Sequence, residues 1–176
     1  MKQEIKFPEY SCRFHCPHFQ SVGPTLNETH YCMKKGKKGK RFLKKDLKRK
    51  PPEWCPLRLD PPVCRIYGFK DILGESMERD NRLSTDPDRV SWYFPMGHRY
   101  RFRLEVPLGK TAAQFYAAVK EEMVETVLGG VPVNNGELIE IDDGLSPVFF
   151  YVYNGATVLP AKVFGLKPDG KEDGRD

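Results

Sequence analysis

The sequence predicts an α+β protein, in which a small irregular cysteine-bearing module precedes one helix packed on a mostly antiparallel sheet. Three observations predict it. Four of the five cysteines fall within the first 55 residues. Charge reverses sign along the chain: residues 1–65 hold 16 basic against 6 acidic side chains, whereas residues 66–176 carry a net −5. The last third switches cleanly between period-two and helical spacing of apolar residues. With 176 residues, 39% hydrophobic and 12% aromatic, the chain can bury one ordinary core plus a small module, and is too aromatic for disorder throughout.

Prolines set the boundary. Pro51-Pro52, Pro56 and Pro61-Pro62 punctuate a short stretch and restrict the residues before them to extended backbone. This places a module at residues 8–62, a connecting region at 63–97 with a short helix at 70–82, and an α+β domain at 98–166. Asp86-Pro87-Asp88 marks a turn. Residues 98–106, HRYRFRLEV, alternate as a half-buried strand with a charged outer face. Thr111 with Gln114 forms a capping box opening one helix, whose face carries Ala112, Phe115, Tyr116, Val119, Met123 and Val127. Gly129-Gly130 closes that helix. Asn134-Asn135-Gly136 turns into a strand at 137–141, and Asp142-Asp143-Gly144 turns again. Residues 148–153, VFFYVY, are apolar on both faces and suit a central strand. Asn154-Gly155 signals a hairpin into a last strand at 157–164. The order β-α-β-β-β is compatible with a β-grasp arrangement. The tail at 167–176 is expected to be disordered.

No membrane span is expected, because the longest uncharged stretch, residues 144–161, is broken by Pro147, Asn154, Gly155 and Pro160. The first ten residues lack an apolar signal-peptide core, which makes a cytoplasmic location the expectation.

The cysteines form the most specific constellation. Three residues separate Cys12 from Cys16, fifteen separate Cys16 from Cys32, and twenty-two separate Cys32 from Cys55. Four thiolates suit zinc, a tetrahedral d¹⁰ ion without redox chemistry. A segment poor in aliphatic residues also gains folding free energy from a metal that its core cannot supply. The competing reading is five independent cysteines, buried or incidental. Cys64 is left over as a buried free thiol. His15, His18 and His30 are read as exposed loop histidines.

The segments SCRFHCPHF, HYC and PPEWCPL resemble the small Cys-rich zinc-knuckle proteins of phages, prophages and mobile elements, in which a Cys–Cys-Pro-Phe opening precedes a Tyr-Cys pair and a closing Trp-Cys-Pro-Leu. The match covers about residues 10–60. Here the opening gap is one residue longer, and His18 stands before Phe19. The resemblance implies a four-cysteine zinc knuckle from Cys12, Cys16, Cys32 and Cys55, and implies no activity.

Residues 33–50 hold eleven cations against the single acid Asp46: Lys34, Lys35, Lys37, Lys38, Lys40, Arg41, Lys44, Lys45, Lys48, Arg49 and Lys50. Such a run can neutralise phosphates with counterion release, or simply be a solvated loop. Phe42, Leu43 and Leu47 are spaced for an amphipathic basic helix over 41–50. Trp92 and Phe94 belong to an aromatic cluster beside Pro95, read as a core or interface plug. No phosphate-binding glycine loop, nucleophile elbow or HExxH motif occurs, and no small-molecule substrate is evident. The sequence therefore points to a non-enzymatic, zinc-stabilised protein that contacts nucleic acid through residues 33–50. The alternative is a protein-interaction module, an inhibitor or adaptor of a host complex, acting through the α+β domain.

Overall fold

The computed structural model describes residues 7, 10–47 and 51–166. They fall into two compact units, one of residues 8–59 and 144–146 and a larger one built mainly from residues 60–143 and 147–176. The class is α+β, with two sheets of three and five strands.

The smaller unit contains the one-turn helix α1 (Cys12–His15) and the strands β1 (Phe19–Val22), β2 (Thr29–Cys32) and β3 (Lys40–Arg41). They make an antiparallel sheet of order β1-β2-β3.

The larger unit contains β4 (Val63–Phe69), α2 (Ile72–Leu83), β5 (Tyr100–Pro107), α3 (Ala112–Ala118), α4 (Val124–Val127), β6 (Leu138–Asp142), β7 (Val148–Asn154) and β8 (Thr157–Ala161). Its sheet has the order β5-β4-β6-β7-β8 with every named pair antiparallel. That pattern lacks the parallel central pair of a β-grasp. The stretch read as a connection supplies β4, inserted between β5 and β6, and α2, so the order is β-α-β-α-α-β-β-β. Asp71 caps α2 by accepting the Gly74 N–H at 2.7 Å.

Core packing explains the remaining differences. Ile66, Ile139, Phe150 and Val152 on one sheet face meet Phe115, Val119, Val124 and Leu128. To bring both groups of helical residues onto that face, the single helix expected after Thr111 breaks at Val119–Met123 into α3 and α4. The capping box forms as expected, with Gln114 accepting the Thr111 N–H at 2.9 Å and Thr111 accepting the Gln114 N–H at 3.3 Å. Gly129, at φ +71°, ends α4 in the left-handed conformation. The Gly130 N–H then reaches Glu125 O and the Gly129 N–H reaches Thr126 O, which is the Schellman pattern. The middle strand is β6; β7 is fourth of five, and its doubly apolar pattern reflects cover on both faces. A register shift opposite Ile66/Tyr67 leaves Arg103 as the extra residue of β5. The even-numbered residues accordingly change face, with Tyr100 in the second core cluster and Leu104 and Val106 against the first.

The second face is more polar. Tyr67, Tyr93, Tyr100, Leu138, Tyr151 and Leu159 form its apolar part. Beside them Arg65 bridges Glu105 at 2.9 Å, Asp142 at 2.7 Å and Glu140 at 3.4 Å, and Tyr67 donates to Glu140 at 2.6 Å. Burial raises the Glu140 carboxyl above its ordinary value, against the lowering effects of Tyr67 and Arg65, while Asp142 adds to the rise. The folded state thus holds this proton more tightly than the unfolded chain, and its stability contribution declines as pH rises above the ordinary carboxylate range. Glu140→Gln keeps an acceptor for Tyr67 and removes the buried charge. Its melting temperature relative to the parent should therefore climb between about pH 4 and pH 7. A constant difference across thermal melts in that window would refute this account of Glu140.

No helix among the described residues is long and apolar enough to cross a membrane.

Candidate functional site

Within the smaller unit each cysteine is placed by short-range backbone bonds. Cys12 opens α1, and the Cys16 N–H at its end returns to Cys12 O at 3.3 Å. Cys16 O accepts the Phe19 N–H at 3.2 Å, Cys32 O the Lys35 N–H at 3.3 Å, and Cys55 O the Arg58 N–H at 3.2 Å. Cys16, Cys32 and Cys55 therefore each begin a tight turn, which fixes the backbone on both sides of the thiol.

A row of rings ties the cysteine-bearing segments together. Phe19 pairs with Cys32 across β1 and β2. It stacks on His30 at 5.2 Å and meets Phe42 at 5.4 Å, and Phe42 meets Trp54, the neighbour of Cys55, at 5.2 Å. Among described residues 10–59, the buried ones are Cys32, Phe42, Pro52 and Cys55. Half of this small centre is thiol.

Burial pushes the Cys12 thiol up to about 12, and the neighbouring Cys55, Cys16 and Cys32 push it the same way. The Tyr10 hydroxyl is raised by burial first, then by its hydrogen bond to Cys16 and by Cys16, Cys12 and Cys55 charge. Cys16, Cys32 and Cys55 thus lie within reach of the Cys12 charge. Among the described residues, however, no group of three or more His, Cys, Asp or Glu side chains is arranged closely enough to hold a metal ion.

The other candidates are placed elsewhere. Cys64 is fully buried in the larger unit's first core cluster, and burial foremost, with Glu140 and Glu105, pushes its thiol up to about 12. His15 accepts the Ser11 N–H at 2.9 Å, and His30 is 2.9 Å from the Ser21 hydroxyl.

Over its described residues, 41–47, the basic run does not form the expected amphipathic α-helix. Arg41 and Lys40 pair with Tyr31 and Cys32 as β3, and a single 3-10 turn follows at Lys44–Leu47. Phe42 is the reason: it is 6% exposed, held between Phe19 and Trp54, and its N–H donates to His30 O at 2.8 Å. Lys34, Lys35, Lys37, Lys38, Lys40, Arg41, Lys44 and Lys45 are all exposed. Lys48, Arg49 and Lys50 lie outside the described residues, as does the tail at 167–176. Gly36 and Gly39, at φ +78° and +75°, turn the chain between β2 and β3. The Lys40 ammonium stands 4.2 Å from the Trp54 ring centre, a contact that the spacing of the run did not reveal.

Trp92 and Phe94 belong to the larger unit, where residues 93–96 run parallel to 161–164 through the bridges Tyr93↔Ala161 and Met96↔Phe164. Tyr93 is buried, whereas Phe94 is 57% exposed and stacks on Phe164, itself 62% exposed, at 6.4 Å. Trp92 lies 5.2 Å from the Lys162 ammonium. Met96 and Phe164 extend the exposed set, and alternation with buried Tyr93, Pro95 and Gly97 was the signal for Met96.

No protein-family model matches the chain, and no curated protein or solved structure matches it.

Proposed function

We propose that the chain is a zinc-stabilised nucleic-acid-binding protein of the phage or mobile-element kind, acting as a binding module rather than an enzyme. Cys12, Cys16, Cys32 and Cys55 would hold one zinc, whose role is structural: it ties α1, the end of β2 and the turn at Cys55 into one body. One observation carries the reading. Cys32 pairs directly with Lys40 across the hairpin that displays the exposed lysines, so fixing the thiol fixes the cationic surface. Eight exposed cations within residues 34–45 outnumber the one acid, Asp46, that follows them. Such a surface binds phosphate backbones with little base preference, because cations alone carry no sequence code.

The test is substitution of Lys37, Lys38, Lys44 and Lys45 by glutamine in one variant. Each lost phosphate contact should flatten the log–log salt dependence of duplex binding by about 0.9, up to roughly 3.6 for all four. Zinc content should stay unchanged, since no proposed ligand is altered. An unaltered slope refutes the assignment of this surface.

A second reading, a protein-interaction module acting on a host complex, is favoured by the stacked, exposed Phe94 and Phe164. Exposed aromatic side chains are common anchors of protein interfaces. Under it, the lysine substitutions spare partner capture, while Phe94→Ala or Trp92→Ala abolishes it.

A further inference from the structure

The larger unit carries a cavity of about 760 Å³ that has no part in the reading above. One wall is α2, which contributes Glu75, Arg79 and Arg82; the other is β5, which contributes Arg101, Phe102 and Arg103. Gly68, Phe69 and the loop Asn134–Gly136 complete the lining. Four arginines and two glutamates, Glu75 and Glu137, belong to this lining. This is a local inversion, because residues 66–176 as a whole carry a net −5.

The four arginines are not equivalent. Arg103, the bulge residue of β5, donates from Nη1 to both carboxylate oxygens of Glu137 and from Nη2 to Pro132 O. Its charge is spent on the wall, and Glu137 in turn accepts the Asn134 N–H at 2.8 Å. Tyr100 donates to Gly136 O at 2.9 Å, which fixes the same loop from below. Arg82 donates to Tyr153 O at 2.9 Å and has no carboxylate partner among the described residues. Arg79 donates only to Ser76, at 3.3 Å, and Arg101 has no ion pair or hydrogen-bond partner there. The cavity thus has a rigid frame and two or three guanidiniums with unspent donors. Gly136, at φ +88°, lets its loop approach Phe69 closely: a Cβ there would stand 2.8 Å from the Phe69 ring.

Guanidinium forks recognise phosphate oxygens bidentately, and phenylalanine rings accept a flat apolar body. The volume falls in the range of small-ligand sites, roughly 300–1,000 Å³. We infer that this cavity binds a phosphate monoester carrying a planar body, of the mononucleotide class, with Arg79 and Arg101 on the phosphate and Phe69 and Phe102 against the body. The source is either a free mononucleotide or the phosphorylated end of a strand. The inference is independent of the zinc and hairpin reading, since every residue in it belongs to the larger unit.

The experiment is calorimetric titration of the full-length protein with AMP, GMP, CMP and UMP separately, and with adenosine, inorganic phosphate, a 5′-phosphorylated trinucleotide and a glutamate hexapeptide. At least one mononucleotide should bind at least ~10-fold more tightly than both adenosine and inorganic phosphate, since each lacks one half of the recognition. Preference for the trinucleotide over the mononucleotides assigns the strand end as the source; the reverse assigns the free nucleotide. Arg101→Gln and, separately, Arg79→Gln should each weaken that binding by roughly tenfold or more, with Arg101→Lys intermediate because it keeps charge and loses the fork. Neither should move the melting temperature, as neither side chain is ion-paired among the described residues. The glutamine variant of Lys37, Lys38, Lys44 and Lys45 should bind the mononucleotide as the parent does. The proposal is overturned if no mononucleotide binds at millimolar concentration, or if affinity survives both arginine substitutions. Loss of affinity in the lysine variant, or tighter binding of the glutamate peptide, overturns it equally.

Discussion

Cys32→Ser is expected to release zinc and unfold residues 10–59 while leaving the five-stranded sheet intact. The reasoning is one of scale. Structural zinc contributes an apparent ~10–16 kcal/mol in small modules, more than a unit of this size gains from burial alone. Among described residues 10–59 the buried ones are Phe42, Pro52 and two of the thiols themselves, so little would remain without the proposed metal. Removing one of the four proposed ligands should act like chelation of the parent. Hydrogen exchange read by mass spectrometry resolves the two units: protection should vanish over β1, β2 and β3 and persist over β4, β6 and β7. Cys64→Ala supplies the control, because Cys64 belongs to the larger unit, paired between Val106 and Ile141 in its sheet. It should retain zinc in full. If Cys32→Ser preserved exchange protection in β2, the thiols would be ordinary buried side chains.

Phe150→Ala should have the reverse distribution. Phe150 is fully buried and its ring lies 5.1 Å from Phe115, 5.7 Å from Tyr116 and 5.7 Å from Phe7. Truncating a buried phenylalanine costs about 3–5 kcal/mol, against a total stability of roughly 5–15 kcal/mol for a domain. The larger unit should melt more than ~10 °C below the parent, since 1 kcal/mol moves a domain of this size by about 4–8 °C. Zinc content should not change. A shift of only a degree or two would show that α3 can collapse onto the sheet and refill the space.

What the sequence revealed was mostly local. Thr111 with Gln114, Gly129-Gly130 and Asn154-Gly155 announce a helix start, a helix stop and a hairpin through backbone chemistry confined to a few residues, and each appears where expected. Interactions between distant residues stayed hidden. The strand VCRIYGF between a proline pair and a charged helix gives no periodic signal, because Ile66 and Tyr67 are buried on opposite faces of a sheet whose other strands come later. The break in α3–α4 leaves the apolar spacing nearly unchanged, so periodicity alone reads one helix. In the basic run, the cations masked Phe42, whose burial between Phe19 and Trp54 decides for a strand over a helix. The cysteines were conspicuous from type and spacing, but the pairing of Cys32 with Lys40 required the hairpin register. The cavity arginines come from α2 and β5, which follow one another in the chain but whose packing no local pattern announces.

The most direct measurement is fluorescence anisotropy of labelled duplex and single-stranded nucleic acid, titrated with the zinc-loaded full-length protein at ~50 mM and ~200 mM salt. With about six of the hairpin cations engaged, log affinity should fall against log salt with a slope of roughly −5 on duplex and about −4 on single strands. Affinity should change little with sequence. No binding tighter than about 10⁻⁴ M at the lower salt, which is weaker than ordinary non-specific attraction, would contradict the nucleic-acid reading outright.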